Sequence, residues 1–429
     1  MKALSTTAII LYNLAVPIVF LGGAEFIARR VEYHTHGPNG PLPAMVRDRW
    51  TFFRNNPNFR TSGIEHNGQG FRRDSDVAVT KSANMIRIFV LGGSVTYGAE
   101  SLYPEIENHS APSNRQTIDF YLEQKLNAVF PQKHWEVINA GVKGYLLHQD
   151  LALLLSVILR YHPDYVISMD GVNDLSSLLR APPNYDPYLQ PELLPEFDRL
   201  ANPQSFQSMQ TFFVTWLRND SVLFRGFQDW LRQTSGIRRR EKAARIRPAA
   251  PPGISGLASD QQLQFNTSAS QLETYLTQIH QLHAMLALHG IADLFALQPY
   301  LNLTRKQMAG NEERLRQYLQ RVESPLFVLG LTALYPELSR RLSADAAKQG
   351  YGFLDLTNVF DAASSQTFTD YCHLTPEGNR IIADRFFAAI RDSLGPTRLQ
   401  PARVTSRQFT RAGIATLESS ASAHTVAGT

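Results

Sequence analysis

The run IRIFVLGGSVTYGAE, Ile86 to Glu100, decides the fold and frames the question of function. Apolar and β-branched residues pass straight into Gly92 and Gly93, with Ser94 just beyond and Gly98 four residues further on. A continuous apolar run closed by glycines reads as a strand buried on both faces. Its end can be compared with three motifs. A phosphate loop needs a lysine after its second glycine, and Ala99 and Glu100 follow Gly98 instead. No Gly-x-Gly-x-x-Gly dinucleotide fingerprint is present. The nucleophile elbow, Gly-x-Ser-x-Gly, fits through Ser94 but has Thr96 where its second glycine belongs. From this stretch alone an ordinary strand-to-helix turn is as good a reading as a nucleophile.

Moving outward, the same rhythm repeats. WEVINAG, DYVISMDG, IADLFALQ and YGFLDLTNVF read as strands. Between them stand TIDFYLEQKLNAVF, DLALLLSVILRY, QLETYLTQIHQLHAMLALHG, SRRLSADAAKQG and NRIIADRFFAAIRDSL, which have helical period. Strands alternating with helices predict βαβ units and a parallel sheet covered on both faces, an α/β fold. The rhythm breaks between about 176 and 270, in Pro-rich loops, a helical stretch (Phe206, Met209, Phe213, Trp216, Leu217, then Leu223, Phe227, Trp230, Leu231) and a basic loop. This reads as a mostly helical insertion packed on the main sheet, or as a lid. Residues 31–84 read as a loosely packed spacer, 85–395 as the main domain and 396–429 as a disordered tail.

Composition narrows the function classes. The net charge is +4 and the pI about 9.1. The arginines, however, collect in GIRRREKAARIR and the tail, without a nucleic-acid-binding motif, and no nucleic-acid partner is expected. Cys372 is the single cysteine, which excludes an intrachain disulfide and a Cys-built metal site. No charge occurs between Lys2 and Glu25. That stretch, about 33 Å as a helix, is long enough for one membrane crossing, so residues 1–30 are expected to form a transmembrane anchor. A cleaved signal peptide ending near Gly22 and Ala24 is the rival. Arg29 and Arg30 outweigh Lys2 and would hold the body inside. The expectation nonetheless is a single-pass anchor in the cytoplasmic membrane, with the catalytic body on its outer side.

Ligands of an open parallel sheet bind outside the carboxyl ends of its strands. Every conspicuous polar or glycine motif falls there: Gly92-Gly93-Ser94, NAGVKGY with Gly141 and Gly144, GVND with Asn173, and TDYCHLTPEGN with Asp370 and His373. Ser94 needs a base. His373 supplies one, and Asp370, three residues earlier, can take its Nδ1 proton. Thr375 and Pro376 read as the N-cap and first position of the last helix, which would hold His373 on a rigid lead-in. The Ser94 and Gly144 backbone N–H groups and the Asn173 amide are candidate oxyanion donors. Each of these signals alone is weak; their agreement on one edge carries the reading. His148, His162, His280, His283 and His289 are read as surface or packing residues, Cys372 as a packed thiol, and Asp170 and Asp174 as braces for the Asn173 loop.

Ser94, Gly144, Asn173 and the Asp370-x-x-His373 pair, in this order, resemble the blocks of the SGNH hydrolases, the GDSL-type lipases and esterases. The resemblance covers about 85–174 and 291–394. It implies a flavodoxin-like three-layer α/β/α sandwich with a Ser94–His373–Asp370 triad and an oxyanion hole of Ser94, Gly144 and Asn173. Gly93 departs from the family, which often has Asp there. NGQGFRR, Asn67 to Arg73, looks like a segment common in membrane-anchored members. The activity implied is ester hydrolysis, without cofactor or metal; the expected anchor, not the site, suggests O-acyl groups of cell-envelope glycans or lipids as substrates. An O-acyltransferase using the same acyl-enzyme is the alternative.

Overall fold

The structure is a computed structural model, and it describes residues 16, 19–31, 44–107, 111–180, 221–224, 226–227, 230 and 256–391. Two small antiparallel hairpins come first: β1 (Met45–Asp48) with β2 (Phe52–Asn55), and β3 (Arg60–Thr61) with β4 (Ile64–Glu65). Five parallel strands follow: β5 (Met85–Gly92), β6 (His134–Asn139), β7 (Tyr165–Asp170), β8 (Ala292–Leu297) and β9 (Gly352–Asp355). They lie in the order β6-β5-β7-β8-β9. Counted along the chain this is 2-1-3-4-5, the doubly wound order in which the strand sequence reverses between β5 and β7. Helices flank the sheet, giving an α/β sandwich.

The opening run behaves as its composition requires. From Ile86 onward every residue of β5 is buried, as expected of a strand covered on both faces. Its one charge, Arg87, faces Glu136 in register on β6; Nε donates to Glu136 Oε2 at 2.6 Å and Nη1 to Tyr161 O at 2.6 Å. On β6 packs the Ile118–Val129 helix, with Leu122 and Leu126 buried. The Leu147–Leu153 helix runs on through a π turn, Leu154–Ile158, and a 3₁₀ turn that ends at His162 with φ +51°.

Some elements were not legible beforehand. Periodicity marked the end of the Pro325–Gln349 helix but not its start, PLFVLGLTALYP, whose apolar residues lie on all sides and which holds Pro336. Its N-terminus is set by Ser324, whose Oγ accepts from Phe327 N at 3.2 Å, with Pro325 in the first position. The 31–84 spacer needs correction. Its described part carries both hairpins and buries Asn55, Ile64, His66, Asn67, Phe71 and Arg72. Side-chain hydrogen bonds, invisible to a hydropathy pattern, hold it down.

Contacts group Met1–Ala389 as one compact unit and Ile390–Thr429 as another, of which two residues are described. Most of the expected insertion (181–220 and 231–255) and the tail from 392 lie outside the described residues. Leu223, Phe227 and Trp230 are described and are exposed, not packed on the sheet. Beside them Ser221 Oγ, Val222 N and Leu223 N donate to Glu25. Residues 19–31 are helical, whereas most of the uncharged stretch ahead of them lies outside the described residues. Among the described residues no helix is long and apolar enough to cross a membrane.

Candidate active site

Ser94 opens a one-turn helix, Ser94–Tyr97, at the tip of β5. The turn exists because Gly92 has φ +138° and no side chain: a Cβ there would lie 2.4 Å from Met169 O. Gly171, beyond β7, repeats the device with φ +132° and a phantom Cβ 2.7 Å from Leu297 Cδ1. Only glycine accepts either position. Both glycines stand beside the reversal in strand order, where such sheets bind ligands.

The structure brings Ser94, His373 and Asp370 together in line. Ser94 Oγ is 2.7 Å from His373 Nε2, and His373 Nδ1 is 2.6 Å from Asp370 Oδ2. These partners assign the Nδ1 proton to the carboxylate side and leave Nε2 to accept from the serine. Asp370 is fully buried yet saturated with donors: Cys372 N (2.8 Å) and His373 N (2.7 Å) on Oδ1, and Leu102 N (2.7 Å) with the imidazole on Oδ2. Burial alone would raise this carboxyl; the imidazolium charge and these bonds hold it below its ordinary value. For His373 burial acts downward, but the Asp370 carboxylate prevails and lifts the imidazole well above 6.5.

Two sets of side chains hold these groups. The carbonyls at the end of the Ser94–Tyr97 helix are taken from outside: Asn139 Nδ2 donates to Thr96 O at 2.9 Å, and Arg72 Nη1 to Tyr97 O and Gly98 O. Arg72 is 1% exposed, donates through Nη2 to Pro112 O, and stacks 4.6 Å over the Tyr97 ring. Its segment folds on itself, with Asn67 Oδ1 accepting from Gln69 N (3.0 Å) and Phe71 N (2.9 Å). The His373 loop is held by Glu312, whose Oε1 accepts from Thr367 N (2.8 Å), Phe368 N (3.2 Å) and the buried Lys306 Nζ (3.0 Å). Thr375 then caps the Pro376–Arg391 helix, its Oγ1 accepting from Gly378 N at 3.2 Å. Sequence reading missed Arg72, Asn139, Lys306 and Glu312 in these roles; the NGQGFRR segment was the one signal available.

Beside the Ser94 turn, Asn173 Nδ2 donates to Tyr145 O at 2.9 Å. An amide nitrogen carries two N–H groups, so one remains for an oxygen at the turn. A Cβ on Gly93 would fall 2.4 Å from that nitrogen and 3.4 Å from Tyr145 O, so Asn173 and the Tyr145 carbonyl lie against the Ser94 turn. The same clash explains Gly93: any side chain here, an Asp included, would displace Asn173. Gly144 itself is exposed, with φ +82°.

The remaining candidates sort on geometry. Asp174 Oδ1 accepts from Leu147 N (3.1 Å) and Asp170 Oδ2 from Ser168 Oγ (2.6 Å). His283 pairs with Asp293 at the amino end of β8, away from the carboxyl edge, and His280 with Asp345. Among the described residues, Asp370, Cys372 and His373 have donor atoms within 4.8 Å of one another, the spacing a metal would need. Both imidazole nitrogens are already engaged, by Asp370 and Ser94. Burial pushes the Cys372 thiol up, and its Sγ lies 4.0 Å from Nδ1, the nitrogen that serves Asp370. A cavity of about 440 Å³, lined by Glu100, Gln116, Thr369, Leu374 and Thr375 among others, opens between the run after Ser94 and the run around His373.

No family model matches the chain, and no curated protein does. Solved structures match weakly. An α/β hydrolase enzyme, LAE5, from the metagenome of Lake Arreo is 14% identical with a TM-score of 0.34, over 72% of this chain and 96% of that one. The acetylxylan esterase Axe2 of Geobacillus stearothermophilus is 14% identical with a TM-score of 0.31, over 71% and 94%.

Proposed function

We propose that the chain is a serine ester hydrolase of the SGNH type. The observation that carries this reading is the hydrogen-bonded line Ser94–His373–Asp370 at the reversal in strand order. In the reaction, Ser94 Oγ attacks an ester carbonyl while His373 Nε2 takes the hydroxyl proton. Asp370 stabilises the imidazolium through Nδ1–H without itself accepting a proton. The oxyanion of the tetrahedral intermediate is met by the Ser94 and Gly144 N–H groups and by Asn173 Nδ2. Collapse breaks the ester bond, and the leaving alcohol takes its proton from Nε2. A water, deprotonated by the same nitrogen, then attacks the acyl-serine and releases the acid, returning Ser94 to its starting state. The 440 Å³ cavity is within the usual size of a small-molecule site; its lining is mainly apolar, and it adjoins the site through the runs after Ser94 and around His373 without including either residue.

The substrates proposed are O-acyl groups on envelope glycans or lipids, met outside the cytoplasmic membrane by a body anchored through residues 8–24. Two measurements test the proposal. Hydrolysis of p-nitrophenyl acetate should be present in the wild type and absent in Ser94→Ala; equal rates in both sink the hydrolase. Alkaline phosphatase fused after Thr429 should be active in cells; an inactive fusion held in the membrane fraction sinks the topology.

A further inference from the structure

The β1–β2 hairpin is bonded to the loop that carries Gly144 at three points. Asn55 Nδ2 donates to Gly141 O at 2.9 Å, Tyr145 Oη to Phe53 O at 2.6 Å, and Gln149 Nε2 to Thr51 O at 2.9 Å. Between these bonds the Phe53 ring meets Tyr145 edge to face, with centroids 5.4 Å apart. Its Cζ stands 3.9 Å from the place a Gly144 Cβ would occupy, which is van der Waals contact. The turn is drawn tight by Asp48 Oδ1, which accepts from Trp50 N (2.9 Å) and Thr51 N (3.0 Å). Phe52 follows with φ +66°. Hairpin loops of this length normally place glycine in such a left-handed position. A bulky residue there is strained, and strain held by surrounding bonds gathers at functional positions.

We propose that Phe53 walls the acyl side of the site and confines it to short acyl groups, acetyl foremost. This rests on the Ser94 reading above. An acyl carbon bonded to Ser94 Oγ turns its oxygen toward Gly144 and Asn173, so its chain begins beside them. A ring that stands where a Gly144 side chain would reach closes that wall to a long chain. The ring also offers a hydroxylated group no hydrogen bond, so this side does not suit the leaving alcohol.

The test compares p-nitrophenyl acetate, butyrate and octanoate on the full chain and on Phe53→Ala, Phe53→Leu, Trp50→Ala and Ser94→Ala. Phe53→Ala should raise the octanoate-to-acetate ratio of kcat/KM about tenfold or more, mainly through KM for octanoate, as expected when a hydrophobic wall is removed. Phe53→Leu, which keeps most of the bulk, should fall between it and the wild type. Trp50, 63% exposed in the same turn, controls for general loosening of the hairpin, and its ratio should stay at the wild-type value. An unchanged ratio in Phe53→Ala, or an equal shift in Trp50→Ala, overturns the assignment to Phe53. Ester turnover that survives Ser94→Ala, or is absent from the wild type, instead removes the hydrolase reading and this inference with it.

Discussion

The two halves of the site are built by different physics. The Ser94 half is a strand end: Gly92 in a conformation closed to other residues, Gly93 pressed against Asn173, then a one-turn helix whose carbonyls are stapled by Arg72 and Asn139. The His373 half has no sheet strand. It is a loop closed by a single bridge, Phe368 to Leu374, and by Thr369 N donating to His373 O at 2.8 Å. Beneath it lies a wholly buried ion pair, Lys306 to Glu312 at 2.8 Å. Backbone geometry fixes Ser94, and buried charge fixes the loop of His373. The first arrangement leaves its mark in a short sequence, whereas the second is spread over residues 306, 312 and 365–375.

The largest expected effects come from the reacting groups, which treat both halves alike. Ser94→Ala and His373→Ala should each lower kcat by about 10³-fold or more in ester hydrolysis. Asn173→Ala should cost about 10²–10³-fold, as for one oxyanion donor. Near-normal turnover in Ser94→Ala would remove the nucleophile and the comparison together.

Substitutions one layer out should separate the halves. Glu312→Gln breaks a fully buried pair and strands the Lys306 charge, a change expected to cost about 3–5 kcal/mol in unfolding experiments. Arg72→Lys keeps the charge but loses the fork that spans Tyr97 O, Gly98 O and Pro112 O. It should cost less stability, about 1–3 kcal/mol for bonds lost to buried acceptors. The same variant should lower kcat with KM little changed, because Ser94 loses its alignment. If Arg72→Lys unfolds as readily as Glu312→Gln while the folded fraction turns over normally, the distinction between the halves fails.

The pH profile probes the base directly. His373 must be neutral to accept the serine proton, and its pKa is raised by Asp370, so activity should fall with acidification along a limb lying above pH 6.5. In Asp370→Asn the charge that lifts the imidazole is gone, and the limb of the residual activity should move down. A limb that stays in place after this substitution would assign the titration to another group.

The opening run made the sheet legible, because a strand buried on both faces is apolar throughout and its exit needs Gly92. Ser94 and Asn173 were legible for a related reason, since strand ends converge on one edge, whereas the Asp370–His373 pair was placed by its position just before the last helix. What stayed hidden depends on long-range side-chain bonds. Arg72 sits in a segment that the sequence marked without explaining, since a guanidinium capping Tyr97 O leaves no periodic trace. Glu312 opens a charge-rich helix, Glu312–Val322, in which nothing local marks one carboxylate for burial, yet its own side chain is fully buried. Phe53 fell in a stretch taken for a spacer because its strand partners are four residues long.

The smallest effect expected lies behind the nucleophile half, where three carboxyl groups are buried together. Burial, with the neighbouring Asp170, raises Asp150 and Asp174 well above 3.8, and burial pushes Asp170 up to about 6. Asp150 and Asp170 lie within hydrogen-bond reach of each other, an arrangement that needs one of them protonated. The folded state therefore holds protons that the unfolded chain releases near pH 3.9. Their contribution to stability is fully present below that value and is lost as pH rises through the folded values. Asp150→Asn removes one charge from the cluster and presents an N–H to Asp170. It should leave the melting temperature near pH 4 almost unchanged and raise it by a few degrees at pH 8, at about 2–4 °C per kcal/mol for a domain of this size. The His373 half has no comparable cluster among its described residues, and Glu312, lowered on balance by its bonds to Lys306 and the loop despite burial, titrates in the opposite sense. Thermal melts of wild type and Asp150→Asn between pH 4 and 9 measure the gap. A gap of constant size across that range would show that the cluster is not the source of the alkaline instability.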